Sequence, residues 1–131
     1  PIHPRTSSLM NKYDLKQSNY NNIEFIEPAG YKSFMGLLNF CNAIVTDSGG
    51  VQKEAYMLKK KCVTVRSETE WIETLIGDWN ELVFEDLNKL EKAINNQPNS
   101  EKYNKEIYGK GSISKKIAKE IKDFHYENSN I

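Results

Sequence analysis

The sequence predicts an α/β fold, a parallel sheet with helices packed on its faces. Three observations carry that expectation. Short apolar runs rich in β-branched residues, such as Ala43–Thr46 and Cys62–Val65, alternate with segments whose apolar residues recur at helical spacing. The runs are continuous rather than alternating, as suits strands covered on both faces. The chain has 131 residues, enough for one ordinary domain and not for two.

Taken in order, the chain opens as the end of a strand. A polar stretch follows in which Leu9, Met10 and Tyr13 suit a short helix, and Asn19 to Asn22 form a turn cluster. Ile23–Ile26 is a short apolar run that predicts a strand, stopped by Glu27-Pro28-Ala29-Gly30. Tyr31 to Phe40 suits a helix. Ala43–Thr46 is the clearest buried strand, and Asp47-Ser48-Gly49-Gly50 reads as the turn after it. Val51, Ala55 and Leu58 define the next helix, with Lys59-Lys60-Lys61 at the end where cations suit the helix dipole. Cys62–Val65 is a second strand. Thr69 to Ile76 is predicted helical, closed by Gly77, and Leu82–Phe84 is a further strand. Asp86 is placed to cap a helix from Leu87 to Asn95. Ser100 opens a short helix, and Ser112 or Ser114 opens the last, whose face carries Ile113, Ile117, Ile121 and Phe124. The polar tail from Glu127 to Ile131 is expected to fray. About four strands is few for a doubly wound domain, and the opening at Pro1 suggests a piece of a longer protein.

Composition narrows the function classes. Lys plus Arg is 18 and Asp plus Glu is 18, a formal charge of zero, which argues against a nucleic-acid partner held by phosphate neutralisation. No apolar run is long enough to span a membrane, and no secretory leader is visible, so no membrane partner is expected. Cys41 and Cys62 are isolated, without zinc-ligand spacing. A cytoplasmic location with no metal and no cofactor is the expectation.

The chemistry-bearing string is Thr46-Asp47-Ser48-Gly49-Gly50-Val51-Gln52-Lys53-Glu54-Ala55, between a buried strand and a helix. Ligands of open α/β sheets bind beyond the carboxyl ends of the strands. A helix N-terminus there offers unpaired N–H groups and the positive end of the dipole. Two glycines let an anion reach the backbone, and the Ser48 hydroxyl can cap the helix or donate to a phosphate. Ser48, Gly49 and Gly50 thus form a candidate phosphate cradle; an ordinary capped helix after a tight turn suits the same residues. The spacing is neither GxGxxG nor that of an ATP-hydrolysing P-loop. Glu54 lies one helical turn after Gly50, placed to accept ribose hydroxyls or simply to favour the dipole in the first turn. Arg66 stands at the end of the second buried strand, with Glu68, Thr69, Glu70 and Trp71 next, either a sugar or phosphate contact or a solvated loop with a local ion pair. His3 and Arg5 stand at the end of the opening strand.

Glu27-Pro-x-Gly-Tyr-x-x-Phe34, Thr46-Asp-Ser-Gly-Gly-Val-Gln-Lys-Glu-Ala55, Cys62-Val-Thr-Val-Arg66 and Thr69-Glu-Trp71 together resemble the UDP-N-acetylglucosamine 2-epimerase family. So do His3-Pro-Arg-Thr6, Gly77-x-x-Asn80-x-Leu-Val83 and Tyr108-Gly-x-Gly111-x-x-Ser114-x-x-Ile117, in the right order along nearly the whole chain. The resemblance implies a glycosyltransferase-B-type fold of two Rossmann-like domains facing a cleft. Residues 1–131 are then a partial C-terminal, UDP-binding domain, without the N-terminal domain and without the first strand and helix of their own. It implies that Ser48, Gly49 and Gly50 hold the UDP diphosphate, that Glu54 accepts the ribose hydroxyls and that Phe34 borders the uracil. His3, Arg66 and Glu70 are possible cleft contacts. Catalytic acid and base groups are expected upstream, none of them in this chain.

The implied reaction inverts C2 of the sugar by eliminating and re-adding UDP, as in the non-hydrolysing members, in precursor synthesis for cell-surface polysaccharide. The intact enzyme is expected to be a homodimer and this chain alone inactive. Glu70-Trp71 resembles members acting on derivatives modified at C3 or C6. A hydrolysing epimerase, a stand-alone UDP-binding module and a glycosyltransferase of the same overall fold are the competing readings. Lys61 stands where many family members carry proline, an exchange expected to alter only the surface.

Overall fold

The computed structural model describes residues 1–128. The chain divides into two compact units, Pro1–Asn42 and Ala43 onward.

In the first unit, α1 spans Pro4–Lys12 and α2 spans Tyr31–Phe40. Pro4 suits the first turn of α1, where its missing N–H would have no helical acceptor. The residue before it, His3, is the N-cap and accepts from the Arg5 N–H through Nδ1 at 3.2 Å. The two expected strands of this unit do not form. Ile23–Ile26 has no strand geometry, and Ile23 is 55% exposed. The Ile2 N–H donates to the Ile26 carbonyl over 2.8 Å, and no ladder extends from that bond among the described residues. An apolar β-branched run becomes a strand only where a neighbour satisfies its backbone groups.

In the second unit the described residues form a three-stranded parallel sheet in the order β1-β2-β3. The strands are β1 (Ala43–Thr46), β2 (Lys61–Thr64) and β3 (Asn80–Leu82). Ala43 is in register with Lys61, and Cys62 with Asn80. The crossover from β1 to β2 is α3, Gly49–Met57, which begins two residues earlier than its apolar spacing predicts. Gly49 and Gly50 are therefore the first turn of the helix rather than a turn ahead of it. The crossover from β2 to β3 is a 3-10 segment, Ile72–Asp78, not the predicted α-helix. Ile76 is extended and Gly77 has φ +76°, which interrupts it. A Cβ on Gly77 would stand 2.8 Å from the Lys102 Cβ, so the left-handed turn and the close approach both require glycine.

Past β3, Asp86 caps a 3-10 turn at Leu87–Lys89 by accepting from the Asn88 N–H, and α4 continues over Leu90–Asn95. Val63 of β2, Val83 and Ala93 make a core cluster against which Leu90 and Ile94 pack. The final helix α5 spans Ile113–Asn128, so the expected frayed tail is helical through 128, and 129–131 lie outside the described residues.

The central strand corrects the expectation for Lys61. All four residues of β2 are buried, and Lys61 itself is 5% exposed. Its ammonium donates to the Asp78 carbonyl at 2.7 Å and pairs with Glu81, whose Oε1 also accepts from Asn96 Nδ2 at 2.6 Å. A central strand leaves no solvent face, so the long side chain extends to the ends of the neighbouring segments to satisfy its charge.

Candidate functional site

The parallel order puts the residues after β1, β2 and β3 at one edge of the sheet, the edge where open α/β folds bind ligands. Ser48 is the N-cap of α3, with extended φ and ψ, yet its side chain makes no capping bond. Its N–H donates instead to Thr46 Oγ1 at 3.1 Å. Of the two roles open to the Ser48 hydroxyl, capping is therefore not the one adopted. A Cβ built on Gly50 meets nothing within 4 Å, so the backbone there faces open space. The orphan N–H groups of this first turn carry the positive end of the α3 dipole.

Gly49 is crowded where Gly50 is open. A Cβ on Gly49 would collide with Oε1 of Glu70 and lie 3.6 Å from the Trp71 indole nitrogen. Glu70 in turn accepts from Arg66 Nη1 through Oε2 at 3.1 Å. The loop after β2 thus brings a carboxylate to the start of α3 and holds it with a guanidinium. Both side chains remain partly solvated, 36% exposed for Arg66 and 51% for Glu70.

A buried polar network fixes this loop. Gln52 of α3 is fully buried, and its Oε1 accepts from Thr69 Oγ1 at 2.5 Å and from Asn80 Nδ2 at 3.1 Å. Asn80 also donates to Thr74 Oγ1 at 3.1 Å and accepts from Thr64 Oγ1 at 2.7 Å. Thr69 accepts from the Trp71 N–H at 3.0 Å. The network ties α3, β2, β3 and the loop together through Gln52 Oε1 and the Asn80 amide, while Gln52 Nε2 has no hydrogen-bond partner among the described residues.

Beside it, the Lys53 ammonium lies 4.6 Å from the Trp71 ring centroid and 5.2 Å from that of Tyr108. Trp71 and Tyr108 meet edge to face. The Tyr108 hydroxyl is pushed well above the ordinary tyrosine range, first by burial and then by Glu73. Tyr56 joins this aromatic group and accepts from the Asn104 N–H at 2.9 Å.

The structure therefore brings Ser48, Gly49, Gly50, Arg66 and Glu70 to one end of α3. Glu54 sits half-buried one turn along the same helix. His3 and Phe34 belong to the first unit, His3 as the cap of α1 and Phe34 half-buried in α2. The sequence reading missed Gln52, Thr69 and Asn80 as a positioning set. The signal was available: Gln52, Ala55 and Tyr56 fall at i, i+3 and i+4 and form the buried face of α3, where a glutamine demands partners.

The family model described as UDP-N-acetylglucosamine 2-epimerase matches residues 1–122. The chain belongs to the UDP-N-acetylglucosamine 2-epimerase family. Among curated relatives, a UDP-N-acetylglucosamine 2-epimerase homolog of Methanococcus maripaludis is 45% identical over 94% of this chain and 35% of its own length. The UDP-2,3-diacetamido-2,3-dideoxy-D-glucuronate 2-epimerase of Pseudomonas aeruginosa is 36% identical over 90% of this chain and 32% of its own length. Among solved structures, the Methanocaldococcus jannaschii UDP-GlcNAc 2-epimerase in complex with UDP-GlcNAc and UDP is 36% identical, with a TM-score of 0.78. It is covered over 34% of its length by 92% of this chain. The chain thus spans about a third of the length of the relatives it matches. The epimerase neighbours have the glycosyltransferase-B-type fold, and the Rossmann-like parallel sheet flanked by helices is the shared architecture. Among the described residues no helix is long and apolar enough to cross a membrane.

Proposed function

We propose that this chain is the UDP-binding portion, within the C-terminal domain, of a non-hydrolysing UDP-N-acetylglucosamine 2-epimerase. The observation that carries the reading is the uncapped N-terminus of α3 at the carboxyl edge of the sheet, with open space at Gly50. Backbone N–H groups with a positive dipole end and no side chain in the way suit a diphosphate. In this reading Ser48, Gly49 and Gly50 hold the diphosphate, Glu54 accepts the ribose hydroxyls, and Phe34 borders the uracil. His3, Arg66 and Glu70 line the cleft. The complex of the Methanocaldococcus jannaschii relative with UDP-GlcNAc and UDP supports a UDP-sugar as the ligand class.

The assigned chemistry is inversion at C2 of UDP-N-acetylglucosamine or of a C3- or C6-modified derivative. A base removes the C2 proton as the C1–O bond to UDP breaks, leaving a glycal; an acid then delivers a proton to the opposite face of C2 as the UDP oxygen adds back to C1. Negative charge collects on the leaving diphosphate, so the α3 N-terminus stabilises the transition state more than the ground state. The acid and base groups lie outside this chain, which we hold to be inactive alone. The intact protein is a cytoplasmic homodimer supplying precursors for cell-surface polysaccharide.

A UDP titration followed by amide chemical shifts tests the site. Shifts at Ser48, Gly49, Gly50 and Glu54 with UDP and little response to NAD are expected; a folded chain with no response there overturns the assignment. Turnover of UDP-N-acetylglucosamine by the chain alone would refute its inactivity.

A further inference from the structure

Two acidic groups cannot comfortably share one helix N-terminus. Glu70 already places a carboxylate oxygen against Gly49, the first residue of α3, and Arg66 holds its other oxygen at 3.1 Å. The side chain is placed there by backbone, since the part-buried Thr69–Gln52 and Trp71–Thr69 hydrogen bonds fix the residues on both sides of it. A carboxylate at this point gains from the helix dipole and from Arg66, as any anion would. Gly50, one residue on, faces nothing. The start of α3 is therefore half filled by an internal anion and half open.

We propose that Glu70 is a placeholder for the diphosphate, a device that rests on the UDP-site reading above. With no ligand bound, its carboxylate occupies the Gly49 end of the cradle and keeps Arg66 engaged. An arriving diphosphate competes for the same dipole end and repels the carboxylate, which swings out towards solvent, where 51% of it already lies. Arg66 is released facing the incoming charge. The exchange of one anion for another keeps negative charge beside the positive end of α3 in both states and lowers the affinity for the diphosphate part of the ligand alone. It therefore holds nucleotide release fast and penalises anions too weak to displace the carboxylate.

Two variants separate this from simple charge repulsion. Glu70→Gln removes the charge and keeps the shape, losing two partly solvated electrostatic contacts, so UDP binding by the full chain tightens about fivefold. Glu70→Asp keeps the charge but is one methylene too short to reach Gly49, and it tightens UDP by a similar factor. Uridine, which carries no phosphate, binds all forms equally. The Glu70 side-chain carboxylate resonance of the unsubstituted chain moves during the UDP titration. Tightening by Glu70→Gln without tightening by Glu70→Asp indicates general repulsion and overturns the placeholder. So does unchanged or weaker UDP binding by Glu70→Gln when the unsubstituted chain binds UDP. If neither the unsubstituted chain nor Glu70→Gln binds UDP, the site reading itself fails, and the placeholder with it.

Discussion

Thr69 donates its hydroxyl to Oε1 of Gln52 over 2.5 Å, and this bond fastens the loop after β2 to the helix after β1. Both residues lie next to proposed ligand contacts without being among them. Gln52 sits between Gly50 and Glu54, and Thr69 precedes Glu70. The cradle and the loop that faces it are thus set by a shared buried acceptor rather than by each element separately.

Replacing that acceptor tests its weight. Gln52→Leu keeps much of the volume but leaves the part-buried Thr69 hydroxyl and one buried Asn80 amide hydrogen without their acceptor. The expected loss is about 1–3 kcal/mol of folding stability. Denaturant unfolding measures it, and an unchanged midpoint would mean that the network relaxes without cost.

The contrast between α3 and the loop explains what could be read in advance. Ala43–Thr46 was legible as a strand because it is a short β-branched run bounded by turn residues, although as an edge strand it buries only Ile44 and leaves Val45 48% exposed, and the glycines after it mark a backbone that must stay bare. The epimerase-family motif was legible for the same reason. Ile23–Ile26 misled because composition says nothing about whether a neighbouring strand is present to pair with it. Lys61 misled because a lysine at the end of the run Lys59-Lys60-Lys61 signals surface, while its burial depends on the Asp78 carbonyl and Glu81, 17 and 20 residues away. The Gln52 network depends on comparable long-range matches, with Asn80 28 residues distant.

Lys61 gives the second stability prediction. Lys61→Ala removes the partner of Glu81 and opens space in the central strand. Glu81 keeps its bond from Asn96 and is 30% exposed, so it rehydrates in part. The cost falls below the range for a fully buried pair, at about 2 kcal/mol. Lys61→Met, which refills the space, is expected to lose less. Thermal or denaturant unfolding of the pair of variants checks the order, and a loss equal in both would assign the effect to the charge alone.

The aromatic group beside α3 predicts behaviour at high pH. Burial, and then Glu73, raises the Tyr108 hydroxyl above its ordinary value of 10.0 in the folded chain. Tyr103 is raised in the same direction, by burial and then by Tyr56. The folded state therefore keeps these protons where the unfolded state has released them. Their contribution is complete below pH 10 and is lost as pH rises beyond it. Tyr108→Phe has no phenol to ionise at that position, so its stability falls less steeply above pH 10 than that of the unsubstituted chain. Unfolding curves at several alkaline pH values measure the two slopes, and parallel slopes would remove Tyr108 from the account.

Gly50 separates site from scaffold. A Cβ there meets no atom within 4 Å, and the residue lies in the first turn of α3, so alanine fits the folded backbone. Alanine also has fewer unfolded conformations to lose, so Gly50→Ala is expected to match or exceed the parent stability by up to about 1 kcal/mol. The added methyl group stands where the diphosphate approaches the backbone N–H groups. Tilting or lifting the ligand away from them costs at least one good hydrogen bond, for a loss of about tenfold or more in UDP affinity. Calorimetric titration beside a thermal melt reads both quantities on one sample. Weaker UDP binding with an intact melt assigns Gly50 to the ligand, whereas unaltered UDP binding would place the diphosphate elsewhere along the sheet edge.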